Sequence, residues 1–290
     1  MSGHNRLLRL DEQTFHAFFD RRPFVIETEL SDHPLFALEQ LVALARKLPE
    51  ELVEYNAGNL PVGADPTENP RNGLSAEETL RRIESCGSWM VLKRVERDPA
   101  VGALLDACLD ELDPWVRAHV AHTFDRQAFL FISSPGSVTP FHMDPEHNFL
   151  IQIRGSKTVH MWDPEDRFVV REEDLETFHS HFVQRNLPFE ERYQYTAHQI
   201  ELRPGQGLHF PVTAPHWVKN GPEVSISLSL TFRSDRSQNR ELLYRTNAQL
   251  RRLGLDPTPV GKSALLDSAK RVGANAFLIA REAARFLKER

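Results

Sequence analysis

The segment Thr139-Pro-Phe-His142-Met-Asp144 carries an imidazole and a carboxylate two residues apart. On a strand, residues at that spacing point to the same face, so a nitrogen and an oxygen donor are offered together, as two ligands of a metal. The third donor must come from elsewhere in the fold. His216, in Pro215-His216-Trp217 just before a clearly patterned strand, is the best-placed candidate. Two histidines and one carboxylate make the facial triad of non-haem Fe(II) oxygenases, which leaves coordination positions open for co-substrate and oxygen. With 13 histidines in the chain, a His-x-Asp pair alone decides little. Its weight comes from its place on a strand flanked by turn residues, with a second histidine ahead of another strand.

A second chemical group is Lys157. Phe149 to Ile153 reads as a strand, Arg154-Gly155-Ser156 as a turn, and Lys157 to Trp162 as the returning strand of a hairpin. A lysine beside a turn is most often solvated. One that points inward needs an anion to offset the desolvation of its ammonium, and a dicarboxylate would supply it.

These groups have to be held by β structure. From about Phe129 onward, short runs rich in β-branched and aromatic residues alternate with turn signals such as Pro135-Gly136, Pro204-Gly205 and Asn220-Gly221-Pro222. Val224 to Phe232 alternates strictly between apolar residues and Ser225, Ser227, Ser229 and Thr231, so one face is apolar and the other hydroxyl-lined; the latter faces either a wet interior or solvent. Helical spacing dominates before this core. Leu35 to Leu48 is periodic, Ser75 and Glu78 form a capping box, and Asp98-Pro99 starts a helix that Pro114 should break or restart. Gly58 to Gly73, with Pro61, Pro66 and Pro70, reads as a surface loop, and Arg171-Glu-Glu-Asp-Leu-Glu as a solvated helix start. Helices return over Gln238 to Leu253 and Ser263 to Leu287, the latter with an apolar stripe. The expected layout is a mainly helical region (1–127), a barrel core (128–236) and a C-terminal helical region (237–290).

Composition narrows the function classes. Hydrophobic residues at 40% and charged residues at 26% describe a folded globular chain rather than a disordered or coiled-coil one. A formal charge of −6 gives no global field for a polyanion, which makes nucleic acid a disfavoured partner. Cys86 and Cys108 form neither a disulfide framework nor a zinc motif, and no stretch approaches a signal peptide or membrane span, so a cytoplasmic, unanchored protein is expected.

Taken together, the chain resembles the cupin-like, JmjC-type Fe(II)- and 2-oxoglutarate-dependent oxygenases, in the branch containing the asparaginyl hydroxylase of the hypoxia-inducible factor. The likeness is carried by Gly136-Ser-Val-Thr-Pro-Phe-His142-Met-Asp144, by Asn148-Phe-Leu-Ile-Gln-Ile-Arg-Gly-Ser-Lys157, and by Pro204-Gly-Gln-Gly-Leu-His-Phe-Pro211 followed by Pro215-His216-Trp217. It implies an α+β fold built on a double-stranded β-helix, also called a jelly roll or cupin barrel, buttressed by N-terminal helices and followed by C-terminal helices. It further implies that His142, Asp144 and His216 ligate iron, that Lys157 and Thr139 hold the distal carboxylate of 2-oxoglutarate, and that Asn148 faces the co-substrate. Where the branch tends to carry Asn on the strand after the second histidine, this chain has Thr231, which would be the co-substrate-binding residue there. The implied reaction consumes molecular oxygen and couples decarboxylation of 2-oxoglutarate to hydroxylation of a protein side chain or a small metabolite. Demethylation follows if the attacked carbon sits on nitrogen. Related hydroxylases dimerise through their terminal helices, a role the stripe on Ser263 to Leu287 suits, although it could equally pack on its own barrel. Two other readings compete: a metal-dependent cupin enzyme that does not use 2-oxoglutarate, and a non-catalytic binding module that keeps only the barrel.

Overall fold

A computed structural model describes residues 6–64, 70–181 and 187–288. The N-terminal region forms β1 (Leu8–Arg9), α1 (Glu12–Phe18), β2 (Phe24–Thr28), α2 (Leu38–Lys47), β3 (Val53–Ala57), α3 (Ala76–Arg81), β4 (Ser88–Leu92) and α4 (Pro99–Val116). The helix signals act as their chemistry requires. Both arms of the Ser75/Glu78 capping box are made, and Asp98 caps α4 with Pro99 in its first turn. Pro114 does not break α4, which runs on to Val116. A proline removes one N–H and so one bond of the ladder, and only two residues of α4 follow it, so little helix depends on that bond. The four short strands were not anticipated; the region extends a sheet as well as buttressing it.

The remaining strands follow as β5 (Thr123–Ser133), β6 (Val138–His142), β7 (His147–Arg154) and β8 (Lys157–Met161), then α5 (Glu172–His181), β9 (His198–Leu202), β10 (Gln206–Phe210), β11 (His216–Asn220) and β12 (Ser225–Ser234). Among the described residues they form two antiparallel sheets. One has eight strands in the order β1-β2-β10-β7-β12-β5-β4-β3, and the other four in the order β6-β11-β8-β9. The turn between β7 and β8 depends on Gly155. Its φ of +65° is the left-handed region, and a Cβ there would lie 2.4 Å from the Val224 carbonyl oxygen.

Alternation decides what each face of the large sheet meets. Phe149, Ile151 and Ile153 of β7 and Ile226, Leu228, Leu230 and Phe232 of β12 point into the main core, against the helices of the N-terminal region. Their neighbours point between the sheets. Ser225, Ser227, Ser229 and Thr231 are all buried there, which settles the hydroxyl face as interior rather than solvated. The polar atoms are paired across the strands: Ser227 donates to Gln152 Oε1 at 2.7 Å, Gln152 Nε2 donates to Ser225 Oγ at 3.0 Å, and Ser229 donates to Asn148 Oδ1 at 2.7 Å.

The proline-rich segment does more than cover surface. The carbonyls of Gly58 and Val62 accept the N–H groups of Val138 and Phe141, so it shields the edge of β6, and Ala64 is buried. Pro66 lies outside the described residues. Arg171 precedes α5, as read from the sequence, and α6 (Asp235–Arg252) packs on α5. In α7 (Ala264–Lys288) the side chains of Leu265, Leu266, Ala269 and Val272 are exposed, so this half of the stripe does not pack on the barrel. The stripe's Phe277, Ala280, Ala284 and Leu287 lie outside the described side chains. Among the described residues, no helix is long and apolar enough to cross a membrane.

Candidate metal centre

His142 closes β6 and His216 opens β11, and the two residues are Cα partners in the antiparallel pairing of those strands. Their rings consequently sit side by side, with centroids 4.1 Å apart. Each ring is oriented by its own backbone neighbourhood. His142 Nδ1 lies 2.7 Å from the Pro140 carbonyl oxygen, and His216 Nδ1 lies 2.9 Å from that of Ala214. A carbonyl can only accept, so both Nδ1 atoms carry a proton and Nε2 is the atom each ring is turned to offer a metal. Those Nε2 atoms face Asp144 Oδ2 at 3.9 Å and 3.8 Å. The three donor atoms lie within 4.8 Å of one another. Two imidazole nitrogens and a carboxylate oxygen, pre-oriented around one point, fit a divalent first-row metal.

Asp144 is outside β6, and the chain ahead of β11 fixes it. Its carbonyl accepts from Thr213 N at 2.8 Å, while Thr213 itself is buried with φ +61°, an uncommon conformation for a β-branched residue. The turn is tied down again by Val212 N, which donates to Asp20 Oδ1 at 3.2 Å. Thus the segment that delivers His216 also positions Asp144.

The triad lines a cleft between the sheets. Thr139, Asn148 and Lys157 line the same cleft, so six of the seven residues singled out from the sequence converge there. Thr231 does not join them. It is buried one step further along β12, and its hydroxyl donates to the Gln127 carbonyl at 3.2 Å. Ser229 lines the cleft instead, held by Asn148. Trp89, Phe131 and Ser133 also contribute and were missed. Trp89 belongs to β4, whose continuous apolar run in a helix-rich region gave little sign of joining the barrel.

Lys157 is only 5% exposed. Burial pushes its ammonium pKa from the ordinary 10.5 down to about 7, and no carboxylate among the described residues offsets that effect. Along β11, Lys157 is paired with Asn220 and the metal end with His216. Four residues at about 3.3 Å each separate the two positions by about 13 Å along the strand.

The histidines left aside as ligands lie elsewhere. His147 is stacked on Phe19 and Phe232 and hydrogen-bonded to Ser234, and His209 is buried against Phe24. His160 stacks on Trp217 at 3.9 Å. Trp217 packs against a separate apolar cluster on the outer side of the small sheet, as its position next to His216 requires.

Comparison with known proteins agrees with this architecture. Residues 12–238 match the family model of the cupin-like domain. Among solved structures, the ribosomal oxygenase YcfD of Escherichia coli, in complex with cobalt and 2-oxoglutarate, superposes with a TM-score of 0.52 at 19% identity, covering 94% of this chain and 67% of that one. A second structure of E. coli YcfD gives 0.53 at 19% identity, covering 94% and 68%. These likenesses speak to the fold. No curated protein matches the chain. The match to the family model takes in β2 to β12 and the whole triad, and the chain belongs to the cupin-like domain family.

Proposed function

We propose that this chain is an Fe(II)- and 2-oxoglutarate-dependent oxygenase that hydroxylates a protein side chain or a small metabolite. One observation carries the reading: a single cleft is lined by the pre-oriented His142/Asp144/His216 set and by the buried Lys157, which has no acidic partner among the described residues and whose strand position lies about 13 Å of backbone from that of His216. An elongated ligand that chelates at one end and is anionic at the other satisfies both, and 2-oxoglutarate is such a molecule. The E. coli YcfD captured with cobalt and 2-oxoglutarate supports the assignment by likeness of fold, and the motif pattern is that of the JmjC-type branch containing the asparaginyl hydroxylase. The division of β5, β7, β10 and β12 into one sheet and β6, β8, β9 and β11 into the other fits the double-stranded β-helix, with residues 128–236 as the catalytic unit.

When bound, the metal and 2-oxoglutarate supply the oxidising power to functionalise a C–H bond with molecular oxygen. The protein's part lies in its own residues. His142 and His216 present Nε2 because their Nδ1 protons are held by carbonyls, and Asp144 contributes the charge. Lys157 and Thr139 hold the distal carboxylate, and Asn148, fixed by Ser229, borders the co-substrate. The apolar walls from Phe131, Leu150, Phe210 and Val218 exclude water. The exposed Leu265, Leu266 and Val272 fit a helical contact between two copies of the chain.

The test is turnover without added substrate. Purified protein with Fe(II), 2-oxoglutarate and air should release succinate slowly, detected by NMR, and His216→Ala should release none. Equal succinate from wild type and variant, or none from iron-loaded wild type, would overturn the reading.

A further inference from the structure

Asp20 stands two residues past the end of α1, in the left-handed region at φ +57°, and its side chain is only 6% exposed. A carboxylate so far out of water needs partners. Its Oδ1 accepts from Val212 N at 3.2 Å and lies 3.8 Å from His147 Nδ1, while its Oδ2 lies 3.7 Å from Arg236 Nε. The shortest of these contacts is the one to the backbone. Val212 is buried, so its N–H could not turn to water if that acceptor were removed.

The turn that begins there serves the metal ligands. Ala214 N donates to the Pro211 carbonyl at 3.1 Å, and between them Thr213 is held at φ +61°. A β-branched residue keeps such a conformation only where its surroundings impose it. Two bonds do so from outside the turn: Thr213 N donates to the Asp144 carbonyl, and Val212 N to Asp20. The next carbonyl, that of Ala214, holds Nδ1 of His216. A turn that moved would carry the His216 ring with it and release the backbone of Asp144.

Resting on the metal-centre reading above, we propose that Asp20 is a positioning residue for the metal: from the end of α1 it fixes, through Val212 N, the turn that orients Asp144 and His216. The affinity and geometry of the site are then set in part by the N-terminal region and not by the barrel alone. Without the bond, Thr213 is free to leave the left-handed region, and the two ligands lose their common support.

The experiment uses Co(II) as the probe, because its visible d–d absorption reports the geometry of the ligands. Asp20→Ala should weaken Co(II) binding roughly 10- to 100-fold, the range for losing a group that orients metal ligands, and should change the shape of the d–d absorption at saturation. Asp20→Asn keeps an Oδ1 acceptor for Val212 N and should return both towards wild type. A general loss of stability would lower Tm and leave the spectrum of the folded, metal-saturated protein unchanged. Wild-type affinity and spectrum in Asp20→Ala, or an Asp20→Asn protein as impaired as Asp20→Ala, overturns the assignment of Asp20 and leaves the metal centre standing. A wild type that takes up no Co(II) overturns both. If Asp20→Ala does not fold, hydrogen exchange in the wild type decides: on loading with Zn(II) the Val212 amide should gain more protection than the amides of α4, and an equal or smaller gain overturns the assignment.

Discussion

Replacing Lys157 by Met should make the ligand-free protein more stable and the co-substrate complex far weaker. The folded state holds this ammonium at a pKa of about 7 against an ordinary 10.5 because it is desolvated. At about 1.4 kcal/mol per tenfold in the ionisation constant, that is a penalty on the order of 5 kcal/mol. Its sign with pH follows from which state binds more protons. Between about 7 and 10.5 the unfolded chain keeps the proton and the folded one releases it, so the penalty is complete below about 7 and fades as pH rises towards 10.5. Methionine fills similar space with no charge, and after repacking about 1–4 kcal/mol of the penalty should return as stability near neutral pH. Removing one partner of a buried charge pair costs about 2–5 kcal/mol of binding, so 2-oxoglutarate affinity should fall roughly thirtyfold to several-thousandfold. The assay is urea unfolding at pH 6.5, 7.5 and 9, with calorimetry of 2-oxoglutarate on metal-loaded protein. A variant that is less stable at every pH and binds 2-oxoglutarate like wild type would refute the reasoning and make Lys157 a structural residue.

Binding should also take up a proton. With the Lys157 pKa near 7 before the anion arrives, 2-oxoglutarate affinity should be flat below about pH 7 and weaken above it, which calorimetry in buffers of different ionisation enthalpy reads directly. Gly155→Ala should destabilise the fold by about 2 kcal/mol or more, seen as a lower Tm, because the left-handed backbone and the Val224 carbonyl both reject a Cβ. Ser227→Ala removes the donor to Gln152 Oε1 inside the barrel and should cost about 1–3 kcal/mol in urea unfolding; no loss would mean that the interior polar ladder contributes little.

The parts of this architecture that could be read from the chain are those governed by local chemistry. The alternation of Val224 to Phe232 specifies a strand whatever surrounds it, and the Ser75/Glu78 and Asp98-Pro99 pairs specify helix starts. His-x-Asp on a strand end places two donors together without knowledge of the rest. What stayed hidden depends on distant partners. The serines of β12 are interior only because Asn148 and Gln152 of β7 meet them, and nothing in their own segment says so. Thr231 and Ser229 are equivalent in the pattern, but Gln127 takes the hydroxyl of one while the other borders the cleft. The strands β2 and β4 are short runs in a helix-rich region, and it is pairing with β10 and β5 that makes them strands. Trp89 was lost with β4. The proline-rich segment lacks a period of its own because its backbone is used to shield the edge of β6.

The most direct measurement is an anaerobic titration of the purified protein with Fe(II) and then 2-oxoglutarate, followed by the weak visible charge-transfer absorption of chelated co-substrate. The band should appear at one equivalent in wild type. It should require a higher 2-oxoglutarate concentration in Lys157→Ala, which still binds iron, and be absent in His216→Ala, which does not. Iron binding without the band in wild type would contradict the account and point to a metal-dependent cupin enzyme that does not use 2-oxoglutarate; a folded protein that holds no iron would point to a barrel kept for binding alone.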